Sequence, residues 1–236
     1  MRSLLARTVL AGSGFLIFLP TALPQLANGT FVAPVRDAPF TAVSRLETTR
    51  ITPEGASIRL KTIRPMARDS QGRIYKEARK LESASETNTP PLLMIALYEP
   101  QTKLYTYIYP PDRTFWKGTL KQPASLLARE YFYGWPTRYG PALSKDTRVE
   151  DLGQRTMLGL PVQGVRQTRS VAAEGKNLVE TDEYWYSDDL GMNLLAIHHE
   201  SNVTVTVTVI ELKRAEPDPS LFRIPVGYQR QDAPFQ

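Results

Sequence analysis

There is no cysteine in this chain. Disulfides, thiolate metal centres, a cysteine nucleophile and a lipidated N-terminal cysteine are therefore excluded. Histidine is scarce as well: the 236 residues hold two, His198 and His199. No H-E-x-x-H occurs, and adjacent residues of a strand point to opposite faces. The two histidines therefore cannot share one ion, and no metal site or cofactor is expected. G-x-S-x-G, the nucleophile elbow of serine hydrolases, is absent. The glycines at 153, 159 and 164 make neither G-x-G-x-x-G nor a phosphate loop. With no catalytic residues to name, a non-enzymatic role is expected. Helical periodicity is rare, and beyond the first twenty residues no apolar run approaches a membrane span.

The one long apolar run is at the start. Arg2 and Arg7 precede an apolar stretch from Val9 to Leu19, closed by Pro20 and Pro24 and followed by small residues. This is a secretory leader layout, and residues 1–27 are expected to be a signal peptide that sends the chain to the periplasm or outside the cell. An uncleaved N-terminal membrane anchor is the alternative. Residues 28–40 read as a flexible segment.

Acidic charge is sparse in one region. Residues 45–80 hold ten Lys/Arg against Glu47, Glu54, Asp69 and Glu77. Two readings follow. The basic strands pair with acidic neighbours across a sheet, or Arg59, Lys61 and Arg64 contact an anionic membrane surface or an envelope protein. An exported chain without a nucleic-acid motif has no expected nucleic-acid partner.

What the chain does contain is period-2 alternation. "ASIRLKTIR" (56–64) sets Ile58 and Leu60 against Arg59 and Lys61. "NVTVTVTVIELKR" (202–214) sets Val203, Val205, Val207 and Val209 against Thr204, Thr206 and Thr208. Residues 92–117 read as three strands with Pro-containing turns at 99–103 and 110–113. Gly72 stands where a β-turn needs positive φ. About ten strands with short connections imply a mainly β fold: a single large curved antiparallel sheet, a half-barrel, with one or two short helices over its concave face. The helix expected at 123–133 lies in an aromatic-rich insert, 118–148. The domain runs from 41 to 228, with a tail at 229–236.

"YWYSDDLGMNLLAIHH" (184–199) gathers three aromatics, two acids and both histidines. Read as a hairpin turning near Asp188–Met192, it pairs Trp185 with Leu195 and Asp182 with His198. Asp188 then lies roughly 20 Å from the His198 rung at ~3.3 Å per residue. The stretch is thus a strand, turn and strand rather than an active site. Trp185 either fills a core or lines a cavity. With Tyr107, Phe132, Tyr133, Trp135 and Leu195 it forms the candidate set of cavity residues.

Five strings carry a resemblance. They are "RDSQGRIYKEAR" (68–79), "YEPQTKLYTYIYPPDRT" (98–114), "VEDLGQRTMLGLPVQGVRQTRSV" (149–171), "ETDEYWYSDDLGMNLL" (180–195) and "KRAEPDPSLFRIPVGY" (213–228). They resemble a group of secreted bacterial proteins with recurring R-D-x-x-G-R, E-x-L-G-x-R, W-Y-S-x-x-L and P-D-P-x-L-F-x-x-P motifs. More distantly, the layout is similar to the LolA/LolB-like lipoprotein-carrier superfamily, from which this chain departs in its low helical content and its aromatic insert. That resemblance implies a half-open antiparallel barrel around an apolar cavity. By analogy it implies a lipid or a lipoprotein acyl chain as partner. The alternative is an envelope sensor or interaction module with a filled core and a basic sheet face.

Overall fold

In the computed structural model, residues 32–83, 89–119, 147–173 and 176–231 are described. They form thirteen strands: β1 (Phe40–Ile51), β2 (Ser57–Arg68), β3 (Ile74–Arg79), β4 (Glu82–Ser83), β5 (Leu92–Glu99), β6 (Leu104–Tyr109), β7 (Thr114–Thr119), β8 (Arg148–Met157), β9 (Leu160–Ala173), β10 (Lys176–Ser187), β11 (Met192–Glu200), β12 (Val203–Lys213) and β13 (Gln229–Arg230). All belong to one sheet, in the order β13-β7-β6-β5-β3-β2-β1-β12-β11-β10-β9-β8, with β4 beside β2. The chain steps outward from β1 to β7, restarts at the far edge with β8, and steps back until β12 pairs with β1. Every pairing is antiparallel except that of β13 with β7. Sheet formation by chain neighbours is the common solution.

The mainly β expectation holds: the sheet is large, curved and open. Two details differ. There are thirteen strands rather than about ten, because β4, β8 and β13 carry no clear alternation. Among the described residues the only helical elements are 3-10 turns, at Pro110–Asp112 and Pro219–Phe222. The helix expected at 123–133 lies outside the described residues.

Alternation explains the best strands. In β12 the four valines are 1–5% exposed and the intervening threonines half-buried. Val207 faces Leu46 of β1, which lies opposite Thr62 of β2. This side, with Leu46, Met66 and Val207, is termed the front face. The side with Val43, Pro65 and Ala67 is the back face. The β10–β11 hairpin has the register expected from its turn: Trp185 lies opposite Leu195 and Asp182 opposite His198.

The recurring motifs are joints of this scaffold. In R-D-x-x-G-R, the Asp69 carboxylate accepts from the Gln71 and Arg73 amides at 3.0 and 2.8 Å and pairs with the Arg73 guanidinium at 2.5 Å. Gly72 takes φ +80°, and a Cβ there would lie 3.0 Å from the Pro34 carbonyl oxygen. Arg68 is fully buried. Its guanidinium donates to the carbonyls of Ala33, Ala38 and Leu190 at 2.7–2.9 Å and lies over Phe40. P-D-P-x-L-F meets this turn from the C-terminal segment: Arg73 stacks on Phe222 and Ser70 bonds Glu216. Likewise E-x-L-G-x-R meets W-Y-S-x-x-L, because Arg155 stacks on Trp185 with its guanidinium 3.5 Å from the ring centroid.

Candidate ligand groove

A groove of about 420 Å³ opens on the back face at the centre of the sheet. Its floor follows from register. Val43 pairs with Pro65, and Thr41 with Ala67, so four short side chains lie side by side. Tyr75, opposite Ala67 on β3, is one wall. Glu211 and Lys213 of β12, opposite Val43 and Thr41, are the other. Leu221 of the C-terminal segment closes one side. That segment lies on the back face of the outer strands. Leu221, Phe222, Ile224 and Tyr228 pack on the buried cluster of Ala67, Tyr75, Leu97 and Ile108.

Two polar side chains at the groove, Tyr75 and Glu77, are already engaged. The Tyr75 hydroxyl donates to Glu77 at 2.5 Å, and the other Glu77 oxygen accepts from Arg79 at 2.6 Å. Burial first, and then the Glu77 carboxylate, push the Tyr75 phenol well up, so it stays neutral. The groove therefore offers an apolar floor with charge confined to its rim.

The expected cavity residues are dispersed. Trp185 is 7% exposed inside the main core cluster with Val162, Met192 and Leu194, and Leu195 packs against that cluster. Its ring is fixed between Arg155 and Gly164, where an added Cβ would lie 2.7 Å from the ring. Its Nε1 donates to Glu183 at 2.7 Å. Tyr107 stands on the front face of the other wing, stacked on Trp116 at 5.9 Å. Phe132, Tyr133 and Trp135 lie outside the described residues. Of the three basic residues, Arg59 and Lys61 share the back face, whereas Arg64, three positions beyond Lys61, points to the front. The groove itself was not singled out in the sequence. Its signal there is only a run of small alternate residues on β1 and β2.

The most polar buried cluster is on the front face of β9–β11. Arg169 bridges Glu180 and Asp182 at 2.6 and 2.7 Å, and Asp182 bonds His198 Nδ1 at 2.7 Å. Burial opposes the positive charge of His198, but the Asp182 hydrogen bond and the charges of Asp182 and Glu180 outweigh it and raise its pKa. His199 points the other way, exposed, bonding Thr204. Among the described residues no three His, Asp or Glu side chains are grouped to hold a metal ion.

No family profile matches the chain, and no curated protein does. Solved structures do. A LolA superfamily protein from Nitrosomonas europaea aligns at 9% identity over 86% of this chain and 96% of that one, with a TM-score of 0.33. The lipoprotein LppX of Mycobacterium tuberculosis aligns at 9% identity over 75% and 88%, with a TM-score of 0.29. PNGF-II aligns at 13% identity over 81% of this chain, with a TM-score of 0.37; this chain spans only 31% of the PNGF-II chain. These are likenesses of fold alone.

Proposed function

We propose that the protein is an exported, non-enzymatic carrier that holds the acyl chain of a lipid or lipoprotein. The observation that carries this reading is the 420 Å³ back-face groove, with Thr41, Val43, Pro65 and Ala67 as floor and Leu221 as wall. Its volume falls in the range of small-ligand sites, and it keeps its charges at the rim, where an acyl chain leaves for water. The leader-like N-terminus supports delivery to an extracytoplasmic compartment.

The test is detergent-free purification of the mature protein, lipid extraction with mass spectrometry, and titration with a fluorescent fatty acid. Saturable binding is expected, and Ala67→Phe, which fills the floor, should weaken it at least tenfold while the fold is retained. Absence of saturable binding, or binding indifferent to Ala67→Phe, overturns the reading.

A further inference from the structure

Strict alternation would send Glu211 and Lys213 away from the groove. Val203, Val205, Val207 and Val209 of β12 face the front, and positions 211 and 213 continue that odd-numbered series. A β-bulge intervenes. Ser44 pairs with Val209, but Val43 pairs with Glu211, so Ile210 is an extra residue on the β12 side. Past the bulge the faces exchange. Leu212, opposite Ala42, packs on the main core cluster, while Glu211 and Lys213 come up beside Val43 and Thr41 at the groove. Bulges re-aim side chains in this way, often beside functional sites.

The two charges brought there are unpaired. Arg45 and Glu47 stand two residues apart on β1 and close to 3.5 Å; Glu77 and Arg79 have the same spacing on β3 and close to 2.6 Å. Glu211 and Lys213 share that spacing on β12. Yet among the described residues neither side chain makes an ion pair or a hydrogen bond. The charges around them are engaged. Glu77, on the opposite wall, holds Tyr75 and Arg79, and Arg214, next in the chain, lies 3.8 Å from Asp189. Glu211 and Lys213 are both exposed, so they stand where a ligand in the groove would emerge into water.

We propose that the occupant of the groove is a phospholipid with a zwitterionic head, an ethanolamine or choline phosphodiester, whose phosphate meets Lys213 and whose ammonium meets Glu211. The assignment rests on the carrier reading of the same groove, and narrows its ligand to a lipid of one charge pattern. The acyl chain lies on the floor of Thr41, Val43, Pro65 and Ala67, and the head leaves that floor at the β12 wall. Positions 211 and 213 are roughly 6.6 Å apart at ~3.3 Å per residue. The two-carbon link between phosphate and ammonium lets one head reach both. A simple anion, carboxylate or phosphate monoester, would meet Lys213 but lie against Glu211. A simple cation would meet Glu211 but lie against Lys213. A head carrying both signs satisfies both, and selectivity follows from the repulsion of the others as much as from its own attraction.

The experiment holds the chain constant and varies the head. Dodecylphosphocholine, dodecyl phosphate, dodecyltrimethylammonium and neutral dodecanol are titrated, below their aggregation limits, into wild type, Glu211→Gln and Lys213→Gln. Dodecanol reports the groove alone. Exposed charge pairs are individually weak, so wild type should bind dodecylphosphocholine about fivefold more tightly than each of the other three. Lys213→Gln should lose that preference and favour dodecyltrimethylammonium over dodecyl phosphate. Glu211→Gln should lose it and favour dodecyl phosphate. Both side chains are exposed, so dodecanol binding and the melting temperature should be unchanged in either variant. If no probe binds, dodecanol included, the carrier reading falls and the headgroup assignment with it. If dodecanol binds but dodecylphosphocholine is not preferred by wild type, the headgroup assignment alone is overturned. A preference that survives either substitution overturns it as well.

Discussion

His198 shows how burial and one partner set a side chain's behaviour. It is 4% exposed, bonded to Asp182 and 3.7 Å from Glu200 through its other nitrogen. Its pKa in the fold is raised. Its contribution to stability is therefore complete below its unfolded pKa of about 6.5 and is lost as pH rises through the higher folded value. Urea midpoints should fall from pH 5.5 to pH 8.5 in wild type. They should fall less in His198→Gln, by a difference on the order of 1 kcal/mol. Equal slopes in the two proteins would contradict the assignment. Asp182 matters more, because it serves both His198 and Arg169. Asp182→Asn leaves the half-buried Arg169 guanidinium with Glu180 alone and the buried His198 imidazole without its carboxylate, at a cost of about 3 kcal/mol, read as a lowered midpoint.

At the scale of the element, each wing of the sheet lays a tryptophan over a glycine: Trp185 over Gly164 and Trp116 over Gly118. Neither glycine has positive φ, so it is the missing Cβ rather than the backbone that matters. A Cβ at Gly164 would meet the Trp185 ring at 2.7 Å and the Leu152 Cβ at 2.9 Å, so Gly164→Ala forces the indole to shift, at roughly 1–3 kcal/mol. The lowered melting temperature should come with a shifted tryptophan emission; an unchanged spectrum would show that the ring is not held there. Register at this scale is legible in sequence. A turn expected near Asp188–Met192 was enough to place Trp185 opposite Leu195 and Asp182 opposite His198. β8 was not legible. It is an edge strand, exposed along most of its length, with a bulge at Leu152 and Gly153, so no alternation marks it. The candidate sites were only half legible, because a site on a sheet depends on which strands become neighbours. Glu211 and Lys213 continue the valine series of β12 in sequence, and the bulge that turns them to the groove depends on how β12 pairs with β1.

At the scale of the whole molecule, the C-terminal segment ties together parts of the sheet that are far apart in sequence. Asp218 caps its 3-10 turn through the Ser220 amide at 2.8 Å, and Leu221 and Phe222 then reach the back-face cluster. Glu216 bonds Ser70, and β13 adds to the edge at β7 in parallel. The same segment supplies Leu221 to the groove. It is held by few residues, so its opening should require less free energy than global unfolding. An acyl chain lying against Leu221 would add contacts present only while the segment is docked, and would favour the docked state by its differential binding. Hydrogen exchange should then show amides at 219–231 slowed several-fold by a saturating fatty acid, with β10, which does not line the groove, unchanged. Phe222→Ala, which removes the Arg73 stack and part of the anchor, should cost about 1–2 kcal/mol. It should also speed those amides without ligand, and weaken fatty-acid binding more than the loss of global stability accounts for. If ligand protects β10 and the segment equally, binding stabilises the fold as a whole, and the segment is not a gate to the groove.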